Sequence, residues 1–155
     1  MSWIDSFEKG IWFGFAALGF GVLFNVPVRA LLFIFVIGAL GGLMKTFLLL
    51  LGFNIIIASL GGAFLLGIIS IYAAHAKHAP PLVFAIPSVI PMIPGVFVNK
   101  MMLGIMKLSA IPGEQYPQIL AETFHNGLNA AFILLALALG VTLPLLITRK
   151  ESIKK

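Results

Sequence analysis

Residues 89–95 read VIPMIPG, and they lie inside an otherwise apolar stretch that covers about residues 82–106. A proline cannot donate a backbone hydrogen bond, and its ring clashes with the carbonyl one turn earlier in a helix. Pro87, Pro91 and Pro94 stand within eight residues. This density predicts a helix that is broken near its middle. A helix that is only kinked, with neighbouring helices repairing the lost hydrogen bonds, is the alternative interpretation.

The composition around this stretch indicates that the chain is embedded in lipid. The protein has 155 residues, of which 61% are hydrophobic and 10% are charged, whereas soluble domains carry roughly 25% charged residues. A chain of this length cannot hide so much apolar surface in one water-soluble core. The sequence therefore predicts an all-α integral membrane protein. It has no cysteine, which excludes disulfides, iron–sulfur clusters and thiol nucleophiles.

Five apolar stretches are candidate membrane spans, since a helical crossing needs about 20 mainly apolar residues. They cover about residues 10–24, 30–50, 54–74, 82–106 and 119–147. The connections between them are short and rich in turn-forming residues. The sequence predicts one transmembrane domain over residues 1–155 and no soluble domain, with the fourth span broken at its proline-rich segment.

The basic residues predict how these spans are oriented. With five spans the two termini lie on opposite sides. One side receives six basic residues: Arg29, Lys77, Arg149, Lys150, Lys154 and Lys155. The other receives at most four, namely Lys9, Lys45, Lys100 and Lys107. Because cytoplasmic loops are enriched in Lys and Arg, the N-terminus is expected outside and the C-terminus in the cytoplasm. Topology thus accounts for the net charge of +5, and no nucleic-acid partner is expected.

Small residues recur four apart along the first three spans. The pairs are Gly10/Gly14, Ala17/Gly21, Gly38/Gly42, Ala58/Gly62 and Ala63/Gly67. Such spacing lets helix backbones approach closely in lipid. Two interpretations stay open: ordinary packing within this domain, or docking of a partner protein.

The predicted break is the first candidate site for a substrate. Irregular backbone at membrane depth is tolerated only where protein buries it or where it lines a watery cavity. A half-helix that starts at Pro94–Gly95 would present free N–H groups and a partial positive charge, which suit a carboxylate. Pro91, Pro94 and Gly95 are therefore candidate binding residues. Asn99 and Lys100 follow closely, although Lys100 has snorkelling to the interface as its alternative role.

The start of the fifth span supplies a second group of polar residues. Glu122, Asn126 and Asn129 are spaced along one helical stripe, and His125 borders it. A carboxylate beside a histidine is suited to handling protons. The sequence predicts Glu122 and His125 as proton-coupling residues and Asn126 as a substrate ligand. A location at the membrane interface is the alternative for all three.

Other polar residues carry weaker signals. Asn25 and Pro27 form a structural turn beside Arg29, which either anchors the chain or binds carbonyls at that turn. His75 and His78 alone do not make a metal site. The sequence shows no catalytic motif and no phosphate-binding loop. We therefore expect no enzyme, no metal and no cofactor.

Four stretches together resemble a known family. They are FNVPVRAL at 24–31, GFNI at 52–55, VIPMIPG at 89–95, and TFHNGL with GVTLP at 123–128 and 140–144. The chain is similar over nearly its full length to the small, all-membrane subunit type of the threonine/serine exporter family.

The resemblance implies secondary export of small hydrophilic metabolites across the bacterial cytoplasmic (inner) membrane. Amino acids such as threonine and serine are the expected substrates, and small carboxylates are related possibilities. It also implies a larger partner subunit of the same family. A non-transporting assembly or scaffold subunit and a channel-like homo-oligomer are the alternative functions.

Overall fold

The computed structural model describes residues 3–110 and 115–151, and every regular element within these residues is helical. The elements are α1 (Trp3–Leu23), α2 (Val28–Leu50), α3 (Ile55–Lys77), α4 (Leu82–Val89), a 3-10 turn (Ile90–Met92), α5 (Gly95–Ala110) and α6 (Tyr116–Glu151). The predicted all-α fold is confirmed. Each of the five predicted spans overlaps a helix or helix pair, namely α1, α2, α3, the α4–α5 pair and α6, although α1 begins seven residues before its predicted span.

Three of these helices end in the same way, on a residue with left-handed backbone. Asn25 ends α1 with φ of 56°, and the N–H of Val26 then donates to the Gly21 carbonyl at 3.0 Å. Gly52 and His78 have the equivalent conformation after α2 and α3. This arrangement satisfies carbonyls that a helix end would leave free. The predicted turns at Asn25 and at Gly52 are confirmed, and Pro27 stands at the N-cap of α2.

The described residues divide into two compact units, one formed by residues 3–92 with 136–151 and the other by residues 93–135. In the first unit, α1 packs along α2 through small residues. A side chain at Gly38 would meet the Ala17 side chain, and one at Gly14 would lie 2.9 Å from the Phe35 carbonyl oxygen. Small residues therefore bring the two backbones close together.

The same principle packs α3 against α2 and against the C-terminal part of α6. A side chain at Gly62 would lie 2.8 Å from the Gly41 carbonyl oxygen, and one at Gly140 would lie 2.8 Å from the Leu60 carbonyl oxygen. All ten residues of the five small-residue pairs are buried. Of the two interpretations of this spacing, the structure favours ordinary packing within the chain.

The fourth predicted span is broken, as the prolines predict. Helix α4 has 8 residues and passes into the 3-10 turn at Ile90, and α5 begins only at Gly95. Pro87 lies inside α4, where it is tolerated. Pro91 and Pro94 flank the point at which α-helical hydrogen bonding stops. The alternative of a merely kinked helix is wrong.

Three described helices are long and apolar enough to cross a membrane by themselves, and the α4–α5 pair makes a fourth candidate if it counts as one span. The three are α2, α3 and α6. Helix α1 carries Asp5, Glu8 and Lys9 in its first turns. Its uncharged part, residues 10–23, is therefore only about 21 Å long, against a hydrocarbon core of about 30 Å. The chain is thus a multi-pass membrane protein, and the count of five crossings stays a prediction.

The second unit is a helix pair. Helix α5 packs on the N-terminal part of α6, and a side chain at Gly127 would lie 2.9 Å from the Met101 sulfur. Gly104, the buried residue of α5, lies directly against Thr123 of α6. The connection at residues 111–114 lies outside the described residues.

Candidate functional site

The start of α5 offers fewer free N–H groups than the sequence suggests. The N–H of Gly95 donates to the Ile93 carbonyl at 2.8 Å, and the N–H of Phe97 donates to the Pro94 carbonyl at 3.1 Å. Pro94 itself has no N–H. A normal helix start leaves its first N–H groups unpaired, so local turns satisfy two of those groups here. The helix start is open all the same, because no described atom would lie within 4 Å of a side chain at Gly95.

The other side of the break is held by a buried lysine that belongs to α2. The Nζ atom of Lys45 donates to the Met92 carbonyl at 3.1 Å. Lys45 is 8% exposed and Met92 is 1% exposed. In a continuous helix this carbonyl would accept from the N–H of Val96. The side chain of Lys45 therefore replaces a backbone donor that the break removes.

Close packing of α3 surrounds this contact. A side chain at Gly62 would lie 2.5 Å from the Met92 methyl carbon and 3.2 Å from the Lys45 Cβ atom. Ser59 lies three residues before Gly62, so the two share one face of α3. The Ser59 hydroxyl is buried and has no hydrogen-bond partner among the described residues. The contact between Lys45 and Met92 is thus packed against α3 at Gly62, one helical turn from the buried hydroxyl of Ser59.

Lys45 is a functional candidate beyond those that the sequence predicts, since in the sequence it counts only as a topological charge. The available signal was a lysine within an apolar span, which is rare in membrane helices and marks a functional site by default. The spacing along α2 could not show which carbonyl the side chain reaches. Ser88 on α4 was also not singled out, and its hydroxyl donates to the carbonyls of Phe84 and Ile34 at 2.8 Å and 3.3 Å.

The second unit brings several predicted site residues together in one groove. The groove lies between α5 and α6 and has a volume of about 450 Å³. Lys100 and Lys107 line it from α5, and Glu122, His125 and Asn126 line it from α6. The groove therefore combines two ammonium groups with one carboxylate and one amide. Predicted residue Asn99 lies beside it on α5 but does not line it.

Gly104 and Thr123 fix the floor of this groove. A side chain at Gly104 would collide with the Thr123 hydroxyl, and that hydroxyl donates to the Ile119 carbonyl at 2.7 Å. The Thr123 side chain is thus held against its own helix, which lets α5 approach closely. The absence of a side chain at Gly104 keeps the charged residues of the two helices on opposite walls of one groove.

Hydrogen bonds along α6 orient its polar side chains. Asn126 donates through Nδ2 to the Glu122 backbone carbonyl at 2.8 Å. Asn129 Nδ2 lies 3.0 Å from His125 Nε2, so the ring of His125 contacts an amide one turn further along. Glu122 and His125 are both exposed and line the same groove. The predicted stripe exists, and the partner of the histidine ring within it is Asn129.

The remaining polar candidates lie at or near helix ends of the first unit. Asn25, Pro27 and Arg29 are exposed, and the backbone of Asn25 has the structural role described above. His75 Nδ1 lies 2.8 Å from the Ile71 carbonyl, and His78 Nδ1 lies 3.1 Å from the His75 carbonyl. Each histidine therefore contacts backbone one turn before it.

Comparison with known proteins identifies the family. The family described as Threonine/Serine exporter, ThrE matches residues 9–147. A Haemophilus influenzae protein described as uncharacterized is 30% identical over 136 residues, which are 88% of this chain and 45% of that relative. The chain thus spans about half the length of this relative. No solved structure matches the chain. The match over residues 9–147 shows that this multi-pass membrane protein belongs to the threonine/serine exporter family.

Proposed function

We propose that the chain is a subunit of a secondary exporter that moves small hydrophilic metabolites out across the bacterial inner membrane. Threonine, serine and small carboxylates are the proposed substrates. Family membership over residues 9–147 is the observation that carries the proposal. The sequence holds no nucleotide-binding motif, so an ion gradient or the substrate gradient supplies the driving force. The chain acts as a transporter component and not as an enzyme.

A larger subunit of the same family is the proposed partner. The chain aligns with 45% of its Haemophilus influenzae relative, which leaves more than half of that relative's length for regions without a counterpart here. A second chain that supplies those regions would complete the exporter. Co-purification of this chain with such a subunit from membranes that contain both is the direct test, and recovery of this chain alone would contradict it.

The groove of the second unit suits an amino acid that carries both charges. The Lys100 ammonium would pair with the substrate carboxylate, and the Glu122 carboxylate would pair with the substrate ammonium. Asn126 already donates through its amide nitrogen, so its amide oxygen is the atom that would accept from a threonine or serine hydroxyl. A small dicarboxylate would instead use Lys100 and Lys107, which line the same groove.

The break contributes a second part of the proposed pathway. Pro91 and Pro94 prevent a continuous helix, and the open start of α5 at Gly95 lets a substrate carboxylate approach the positive end of the helix. Asn99 follows on α5 as a polar residue one turn further along. This role goes beyond what the turn geometry supports, because the N–H groups of Gly95 and Phe97 already donate to nearby carbonyls.

Proton coupling is assigned to Glu122 with His125. Both side chains line the groove, and a carboxylate that holds the substrate ammonium can exchange that cation for a proton. His125 receives the contact from Asn129, which fixes the ring beside the carboxylate-bearing turn. Exchange of substrate for a proton at one carboxylate would couple export to the proton gradient.

The proposed orientation has the N-terminus outside and the C-terminus in the cytoplasm. Lys45 is buried in the first unit, so it no longer counts as a loop charge, and the basic residues stand at six against at most three. Reporter fusions at both termini test this orientation. Fusions that place the two termini on one side would contradict the five-crossing arrangement.

Efflux from cells that contain both subunits tests the site. Glu122→Gln and Lys100→Gln should each lower threonine and serine efflux at unchanged protein levels, because each removes one half of the charge recognition. Gly95→Leu should also lower efflux, and it is a clean test because a side chain there meets no described atom within 4 Å. Lys9→Gln removes an exposed cation of α1 and should leave efflux unchanged. Full efflux in the groove variants would contradict the proposed site.

A further inference from the structure

An apolar groove runs along the outer side of the α2–α3 hairpin in the first unit. Its volume is about 470 Å³, and its lining is almost entirely apolar. Leu32, Phe33 and Val36 line it from α2, while Tyr72 and Ala76 are among the residues that line it from α3. Leu32 is 69% exposed and Tyr72 is 72% exposed. The groove therefore opens toward the surroundings of the protein, which in a membrane are lipid.

Two cations continue the stripes that line this groove. Arg29 precedes Leu32 by three residues and Phe33 by four, so it lies on the same face of α2. Lys77 follows Ala73, another lining residue, by four residues on α3. The Nζ atom of Lys77 stands 4.9 Å from the centre of the Phe33 ring, which is cation–π distance. Lys77 is thereby held over a residue of the groove wall.

Both cations lie at the same end of the groove. Helix α2 begins at Val28 and α3 ends at Lys77, and the short turn after Leu50 makes the two helices antiparallel. The start of α2 is therefore next to the end of α3, where the helices meet the membrane interface. Among the described side chains, neither Arg29 nor Lys77 forms a salt bridge. The groove thus has an apolar wall along its length and, at one end, two cations that form no salt bridge with a described side chain.

We propose that this groove binds an anionic glycerophospholipid. An acyl chain would lie between α2 and α3 against Phe33, Val36 and Ala76, and the phosphate would accept hydrogen bonds from Arg29 and Lys77. Basic pockets between membrane helices recognise acidic lipid headgroups in this way. Tyr72 has the amphipathic ring that favours the headgroup level. The preference for cations on the cytoplasmic side explains why basic residues lie at this end of the hairpin. It does not explain why they lie on the helix faces that line the groove.

Native mass spectrometry of the purified full chain in detergent tests the proposal, with phosphatidylglycerol and phosphatidylcholine of identical acyl chains as probes. The native protein should retain phosphatidylglycerol preferentially. Arg29→Gln with Lys77→Gln should weaken that retention by about fivefold for each cation removed. Lys77→Arg should preserve it. Lys9→Gln, which removes a cation away from the groove, should have no effect.

A matched pair of tryptophan variants tests the apolar half of the site. Ala76→Trp fills the groove and should lower retention of both lipids, whereas Ala138→Trp adds the same bulk at an exposed position of α6 outside the groove and should not. Thermal unfolding in detergent without added lipid shows whether each variant is folded. Equal retention of the two lipids by the native protein, or unchanged retention in the double cation variant, would overturn the proposal. Loss of partner co-purification in Ala76→Trp with intact lipid retention would assign the groove to a protein instead.

Discussion

At the scale of single residues, Lys45 connects the break to the rest of the first unit. Its ammonium group is buried, and it donates to the Met92 carbonyl at the end of the 3-10 turn. In a continuous helix the N–H of Val96 would have paired with this carbonyl. Burying a charge in a membrane interior costs free energy unless polar partners compensate it. Among the residues that the structure describes, Lys45 is the charged side chain that is buried, and it lies at the break. Lys45 is therefore a positioning residue that holds Met92 against α2.

Replacing Lys45 by methionine should loosen the break while keeping a side chain of similar volume in the core. The variant removes one buried hydrogen bond, whose net contribution is on the order of 0.5–1.5 kcal/mol. Amide exchange at residues 92–95 should consequently become about two- to tenfold faster. Hydrogen–deuterium exchange with mass spectrometry measures this change. Lys9→Met removes an exposed lysine and serves as the control, and equal exchange in the two variants would contradict the role of Lys45.

Two glycines in different helices, one tightly packed and one exposed, give a matched test of the packing. A side chain at Gly62 would lie 2.5 Å from the Met92 methyl carbon and 2.8 Å from a backbone oxygen, whereas one at Gly19 meets no described atom within 4 Å. Gly62→Ala should therefore lower the free energy of unfolding by about 1–3 kcal/mol. Gly19→Ala should instead raise it by about 0.5–1 kcal/mol, because alanine has a higher helix propensity than glycine. Reversible unfolding in mixed detergent measures both, and similar values for the two variants would show that Gly62 is not tightly packed.

At the scale of elements, the prolines explain why one span is broken while another is not. Pro144 lies inside α6 without interrupting it, and it packs near Gly67 of α3. Pro91 and Pro94 stand three residues apart, so they remove hydrogen-bond donors from successive turns. The one hydrogen bond lost at Pro144 leaves α6 continuous. The two lost at Pro91 and Pro94 end the helical run of α4, and the next helix begins only at Gly95.

Pro94→Ala tests whether the break is needed for transport. The alanine restores an N–H that can donate to the Ile90 carbonyl and so shorten the break. Efflux of threonine and serine should fall several-fold, and the new amide at position 94 should exchange slowly. Pro117→Ala is the control, since Pro117 lies in the first turn of α6, where a missing N–H has no consequence. Native efflux from Pro94→Ala at native protein levels would separate the break from transport.

At the scale of the whole molecule, local patterns predict the helices and tertiary packing decides the sites. Apolar run lengths predicted where helices lie, although α1 begins seven residues before its predicted span. The proline spacing predicted the break, because both properties are local. The contact between Lys45 and Met92 was not predictable, since it depends on how α2 packs against the 3-10 turn. The spacing on α6 placed Glu122, Asn126 and Asn129 on one stripe, with His125 at its border. It could not choose Asn129 as the partner of the His125 ring, because spacings of three and four are both compatible with contact.

In the groove of the second unit, too, some features follow from local sequence patterns and others depend on tertiary packing. Its α6 wall was visible in the sequence, but its α5 wall needed the close approach of Gly104 to Thr123. That approach brings Lys100 and Lys107 opposite Glu122. The combination of both charges in one groove is what suits the amino-acid substrates proposed above.

Reconstitution of the chain with the proposed larger subunit tests the central claim most directly. Proteoliposomes loaded with radiolabelled threonine, serine or a small dicarboxylate should release at least one of these substrates when both subunits are present. Release should be lost in Glu122→Gln and retained in Lys9→Gln. Release that requires both subunits and depends on Glu122 is the predicted result. Absence of release of every substrate from liposomes that contain the intact complex would contradict the account.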